Sequence, residues 1–386
     1  MSPPATAETL MDQFAQRTGI ASENDPQRYL WTDAFAVCNF LELSRQTGDA
    51  GYGELALQLV DQVHHVLGRH RPDDPRSGWI SGLNEQEGEQ HPTAGGLRIG
   101  KPLAERGPHD PVDERLEWER DGQYFHYLTK WMHALHRVSQ ETGEARYRRW
   151  AIELAHTAHA SFTYQPSHGP VKRMVWKMSI DLSRPLVASQ GQHDPLDGLI
   201  TYQLLRASGP EAASGSLELA SEIDDLARLC GSEHWMTADP LGLGGLLTDL
   251  YRVQQLQTMA EPKPSRLETQ IIDSIIPGLD VYVGQSPLQE RAAYRLGFRE
   301  LGLAIGLRAV ERLPPSVSRT SEFAQQIEQI MQHLPMADEI EAFWREERNR
   351  QADSWKTHRD INEVMLATSL APDGYLNPAT LRNRVT

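Results

Sequence analysis

Cysteine is scarce in this chain: Cys38 and Cys230 are the only two in 386 residues. Two thiols make neither a zinc spacing motif nor a disulfide framework. Cys38 falls in an apolar helical stretch and reads as a buried structural thiol. No run of about 18 apolar residues occurs, so no membrane-crossing helix is expected. The opening MSPPATAETLMDQF lacks the basic region and apolar stretch of a signal peptide, and the expected compartment is the cytoplasm. Positive charge is in deficit, 38 Lys and Arg against 53 Asp and Glu, for a net charge of −15. That balance argues against nucleic acid and anionic membrane surfaces as partners. Neither HExxH nor a comparable metal-ligand spacing appears, and no cofactor is expected. Strand patterns are nearly missing too; RMVWKMSIDL at 173–182 is the best candidate for a short hairpin on a loop.

What the chain does have is repetition. QTGDAGY at 46–52 is echoed by ETGEARY at 141–147, with Thr47 and Thr142, Gly48 and Gly143, Tyr52 and Tyr147 all 95 residues apart. Apolar residues recur at three- and four-residue spacing on both sides of each copy, the signature of amphipathic helices. Glycine after the first helix suits a left-handed C-terminal position, and Asp49 can cap the helix that follows. The unit is a helical hairpin, repeated over 121–162. Further hairpins start at HDPLDGL (193–199), at DPLGLGG (239–245) and at ERAAYRL (290–296). SWKTHRDINEVMLATSLA (354–371) has no helix after it and is expected to pair with a helix near 6–18.

Six first helices and six second helices, in repeats of roughly 40–50 residues, imply a solenoid or a closed ring. Closure is preferred, because the first helices are rich in Gly, Ala and aromatics, as crowded inner helices would be. The expected fold is therefore all-α, an (α/α)6 toroid of six hairpins in a single domain spanning 1–386. The second-to-first connections are long at 69–120 and 163–192, so one face carries the elaborated loops, where function concentrates.

On these residues the sequence resembles the six-hairpin (α/α)6-barrel sugar-active enzymes. The carriers are YLWTDAFAVCNFLELSRQTGDAGYGELALQLV, its second copy at 124–160, and the serial hairpins to the end. Trp31, Ala34, Phe35 and Thr47-Gly48-Asp49 are similar to the W-x-x-G/A-F helix and TGD turn of the unsaturated glucuronyl hydrolases. That resemblance implies an aspartate near an inner-helix start, with Asp194 and Asp197 the nearest counterparts. The chain also resembles the N-acylglucosamine 2-epimerase and cellobiose 2-epimerase group, which implies histidines on inner helices that move a proton at C2. The last-helix pattern there is G-H-x-x-E; here THRDINE has His358, with Asp360 and Glu363 after it.

The predicted inner-helix starts bring together the chemistry-bearing side chains. Asp194 and Asp197, three apart on a helix, share a face, and a carboxylate pair is what glycoside cleavage needs. Asp194 can instead cap the helix before Pro195, and Asp197 can be a first-turn acid favoured by the helix dipole. His126, His193 and His358 each begin an inner helix, and histidine suits proton transfer near neutral pH. With Asp360 these form the catalytic candidates. Trp31, Asp33, Tyr124, Trp176, Arg299, Trp355 and Glu363 are candidates for substrate contact. The long loops contribute Arg98 and Lys101, then Lys172, Arg173 and Lys177, a local positive excess that points to an anionic ligand such as a uronate or sugar phosphate.

The leading expectation is a glycoside hydrolase acting on a small, perhaps anionic, saccharide by carboxylate acid–base catalysis. A sugar 2-epimerase or isomerase using paired histidines is the alternative from the same fold. A non-catalytic toroidal scaffold that binds a ligand or protein is the third. The sequence leaves the oligomeric state open, a homo-oligomer included.

Overall fold

The computed structural model describes residues 3–169, 171–208, 218–231, 234–256, 265–313 and 322–376. The Pro-rich stretch EPKP at 261–264 lies outside them. The chain divides into two compact units. One runs from Ala15 to Glu233; the other joins the residues up to Phe14 with the chain from His234 onward. Helix α1 (Pro3–Arg17) contributes to both.

The Ala15–Glu233 unit is built of three helical hairpins. Helices α2 (Leu30–Thr47) and α3 (Ala50–Leu67) form the first. Short helices α4 (Glu85–Gln90) and α5 (Glu114–Glu119) lie on the long connection. Helices α6 (Phe125–Thr142) and α7 (Ala145–Phe162) form the second hairpin, α8 (Asp194–Ala207) and α9 (Ala220–Cys230) the third. Helix α6 packs between α2 and α8, and each second helix lies on its own first helix. Burial follows that order. From Leu30 to Leu43 every residue of α2 is buried, as is Asp194 to Tyr202 in α8. By contrast α3 buries a stripe, Tyr52, Ala56, Leu59, Val60, Val63, His64 and Leu67. A helix apolar on all sides sits in the middle of a layer stack; one with a single apolar stripe covers it.

The echoed turns share their glycine conformation and their threonine hydrogen bonds. Gly48 and Gly143 take φ of 75° and 73°, a left-handed conformation that a Cβ disfavours. Thr47 and Thr142 donate to the carbonyls of Leu43 and Val138, and their hydroxyls accept from the amides of Asp49 and Glu144. Asp49 caps α3 through Gly51 N, as its position predicts; Glu144 makes no such bond.

The expected 173–182 hairpin does not form. The segment supplies two two-residue strands that pair elsewhere. Strands β1 (Gln123–Tyr124) and β2 (Thr163–Tyr164) take β4 (Lys177–Met178) and β3 (Arg173–Met174) respectively, both antiparallel. The loop is thus tied to the start of α6 and the end of α7. The alternation that suggested a strand is real, but its hydrogen-bond partners are remote in sequence.

The C-terminal unit contains α10 (Pro240–Leu256), α11 (Arg266–Gly284), α12 (Gly297–Glu311), α13 (Glu322–Met331), α14 (Pro335–Arg345), α15 (Glu347–Arg350), α16 (Asp353–Lys356), α17 (Arg359–Leu370) and α18 (Asp373–Leu376). Helix α12 lies between α10 and α17, α11 covers α10, and α14 lies on α12 and α17. The α10–α12 approach is unusually close. A Cβ on Gly244 would stand 2.0 Å from the carbonyl oxygen of Gly302, and one on Gly306 would stand 2.6 Å from that of Gly244.

Two sequence expectations are corrected here. Helix α14 was not among the expected helices; Pro335 is its first residue, where proline is tolerated. The single helix expected over 354–371 is broken at Thr357-His358 into α16 and α17. Near the N-terminus, Gln13 of α1 lines one pocket with Trp355, Arg359 and Glu363.

Candidate functional site

In the Ala15–Glu233 unit, the starts of α2, α6 and α8 bring Trp31, Tyr124, His126, Asp194 and Asp197 into one cluster. β4 holds the loop against the start of α6: the Tyr124–Lys177 register is followed by Phe125 N donating to Trp176 O at 3.2 Å. This sets the Trp176 ring 5.0 Å from that of Tyr124 and stacks it on exposed Trp118 at 4.9 Å. Tyr124 is deeply buried, and burial pushes its phenol well above the usual range. Its hydroxyl has no hydrogen-bond partner among the described residues.

His126 is boxed by aromatic rings. It stacks on Tyr124 at 5.5 Å and meets Tyr127 at 4.9 Å and Trp31 at 6.1 Å edge to face. Its Nδ1 lies 3.5 Å from Asp194 Oδ1. Neither Nδ1 nor Asp194 Oδ2 has a full hydrogen bond, though both are buried. Asp194 is the first residue of α8, with His193 at the N-cap position and no side-chain cap bond. The capping expectation for Asp194 is therefore corrected: its carboxylate is turned to His126. His193 is half-buried.

Asp197 has both oxygens engaged. Oδ2 accepts from Thr129 Oγ1 at 2.6 Å and Oδ1 from Lys130 Nζ at 2.5 Å. Lys130 also stands 5.8 Å over the Trp31 ring. An aspartate held by a lysine is poorly placed to deliver a proton. Tyr29 completes the wall, its hydroxyl 2.6 Å from that of Tyr127 and its ring 5.4 Å below Lys101 Nζ. Tyr29, Tyr127, Thr129 and Lys130 were missed in the sequence. Tyr29 was within reach, since the 95-residue offset carries Tyr124 onto it; Lys130 lies one turn beyond His126 on the same face.

Most of the expected cationic ligand groups are engaged by the protein. Buried Arg98 pairs with Asp121 at 2.6 Å and donates to the carbonyls of Arg69 and Val66. Lys177 is buried on Glu117 at 3.0 Å and on the carbonyls of Glu117 and Arg120, and burial lowers its pKa. Lys172 pairs with Asp225 at 2.7 Å. Arg173 is exposed on β3. The positive funnel is thereby corrected for Arg98, Lys177 and Lys172: each neutralises a carboxylate of the same unit. Asp33 is also structural, accepting from Tyr29 N at 2.8 Å and lying 3.6 Å from Arg28.

His358, Asp360, Arg299, Trp355 and Glu363 belong to the C-terminal unit. His358 is exposed just before α17, its ring 5.4 Å from that of Phe298. Asp360, in the first turn, is half-buried. Arg299 pairs with Asp239. Trp355 is buried and stacked on Trp344 at 5.0 Å, and Glu363 accepts from Arg359 Nε at 2.8 Å. Among the described residues no group of three or more His, Cys, Asp or Glu is arranged to hold a metal ion. Among the described residues no helix is long and apolar enough to cross a membrane.

No protein-family description matches this chain, and no curated protein matches it in sequence. Among solved structures it is similar to the cellobiose 2-epimerase from Spirochaeta thermophila DSM 6192, with a TM-score of 0.48 and 11% identity, over 89% of this chain and 87% of that one.

Proposed function

We propose that this protein is an enzyme that moves a proton on a neutral saccharide, as a sugar isomerase or 2-epimerase, with His126 as the proton-transfer group. The supporting observation is the His126–Asp194 pair set in a ring of aromatic side chains. Asp194 Oδ1 stands 3.5 Å from Nδ1, and Nε2 is the ring nitrogen assigned to take the proton. Trp31, Tyr124 and Tyr127 offer apolar faces on which a sugar can stack. In this reading Nε2 removes the proton beside the carbonyl of the open-chain sugar, and the C–H electron pair passes into an enediol. Return of the proton to C1 gives an isomerase. Return to the opposite face of C2 gives an epimerase and needs a second donor, for which His193 is the candidate. A neutral substrate is favoured over an anionic one because Arg98, Lys172 and Lys177 are committed to carboxylates.

The glycoside hydrolase reading keeps Asp194 as a reacting carboxylate, but Asp197 is already occupied by Lys130 and Thr129. The two readings separate in one experiment. Neutral mono- and disaccharides are incubated with the protein in D2O and followed by proton NMR. Loss of the C2 proton signal with the glycosidic bond intact supports proton transfer. Release of a reducing sugar without exchange supports hydrolysis. No turnover of any saccharide leaves the binding scaffold.

A further inference from the structure

A polar pocket lies in the C-terminal unit. Its volume is about 400 Å³, within the roughly 300–1,000 Å³ of small-molecule sites. Arg350 at the end of α15, Lys356 of α16 and Arg359 of α17 line it, against Glu347 and Glu363. Glu363 is not available to a cation in the pocket, because Arg359 already holds it. Arg359 gives Glu363 only its Nε. Arg350 and Lys356 make no ion pair with a described residue, and Arg350 Nε is buried without a hydrogen-bond partner. Buried Trp355, stacked on Trp344, gives this wall a fixed indole.

A guanidinium N–H withdrawn from water and left unpaired is costly. A guanidinium is also the side chain that matches a carboxylate or phosphate in two parallel hydrogen bonds. We infer that this pocket binds a small organic molecule bearing an oxyanion, carboxylate or phosphate, with Arg350 as its principal contact and Lys356 as a second positive charge. Its volume exceeds what a bare inorganic ion fills, so the ligand carries an organic portion of about monosaccharide size. The inference is independent of the proposed proton transfer at His126 and concerns a different set of residues.

Isothermal titration calorimetry of the full chain at low salt tests it, with glucose 6-phosphate, glucuronate, glucose and inorganic phosphate as probes. The expected result is binding of glucose 6-phosphate or glucuronate, tighter than inorganic phosphate, and no binding of glucose at the same concentrations. Arg350→Gln should weaken the bound anion at least about tenfold, as loss of charge-assisted hydrogen bonds does. Lys356→Gln, at an exposed position, should weaken it severalfold and keeps the test valid if the Arg350 variant fails to fold. His126→Ala should leave the affinity unchanged. The inference is overturned if neither organic anion binds, if Arg350→Gln and Lys356→Gln bind as tightly as the parent, if inorganic phosphate binds as well as the sugar phosphate, or if His126→Ala abolishes binding.

Discussion

Single side chains in this protein are defined by what occupies their polar atoms. Asp194 and Asp197 are three residues apart on one helix, yet one faces His126 with an oxygen left over and the other is filled by Lys130 and Thr129. On the proton-transfer reading, His126→Ala should lower turnover by about 10²–10⁴. Asp194→Asn should lower kcat less than His126→Ala, because the amide still fills the space beside Nδ1 but carries no charge. A loss from Asp197→Asn as large as that from His126→Ala would count against the assignment. A second residue-scale expectation concerns His64. It is fully enclosed beside Trp131, whose indole N–H donates to its Nε2 at 3.2 Å. Burial, with a smaller contribution from the nearby charge of His65, lowers its pKa to about 3. The unfolded chain takes up that proton below about pH 6.5, and the folded chain only near pH 3. Stability is therefore fully present above pH 6.5 and lost as pH falls through that window, by up to about 1.4 kcal/mol per pH unit. Urea titrations at pH 7, 6 and 5 should show that decline, and His64→Phe should flatten it. The variant should also start less stable by about 1–3 kcal/mol, from the orphaned Trp131 N–H.

At the level of elements, the repeated TG turn and the close helix pair make different predictions from the same residue type. Gly48 and Gly143 have nothing within 4 Å of a built Cβ, so the objection to a side chain there is conformational. Each alanine variant should cost about 1 kcal/mol, nearly additively, since the hairpins are separate. Gly244 is the reverse case, with Gly302 backbone in the way. Gly244→Ala must push α10 from α12 and should cost about 3 kcal/mol or more. Equal thermal shifts for Gly48→Ala and Gly244→Ala would contradict this distinction. Helix α14 teaches a related lesson. Its buried residues Ala337, Ile340, Glu341 and Trp344 follow helical spacing, so the pattern was present in the sequence and went unassigned.

For the molecule as a whole, the all-α class was legible from the three- and four-residue periodicity, although the helix expected from 290 starts at Gly297 and the one over 354–371 is split. The expectation of one domain over 1–386 makes a separate prediction: calorimetric unfolding should show one transition with calorimetric and van't Hoff enthalpies in agreement. Two resolved transitions would assign the two compact units separate stabilities. What the sequence determined by itself is whatever depends on neighbours a few residues away. That includes the helices, the glycine-terminated turns and the placement of polar residues such as His126 and Asp194 at helix starts, because helical hydrogen bonds and caps are local. Tertiary structure alone decided which charges remain available. Arg98, Lys177 and Lys172 are neutralised by Asp121, Glu117 and Asp225, between 23 and 60 positions away, whereas Arg350 is left with a buried, unpaired Nε. No local pattern carries that information, since ion pairing is settled by which side chains folding brings within a few ångströms, and the 173–182 loop found its strand partners by the same route.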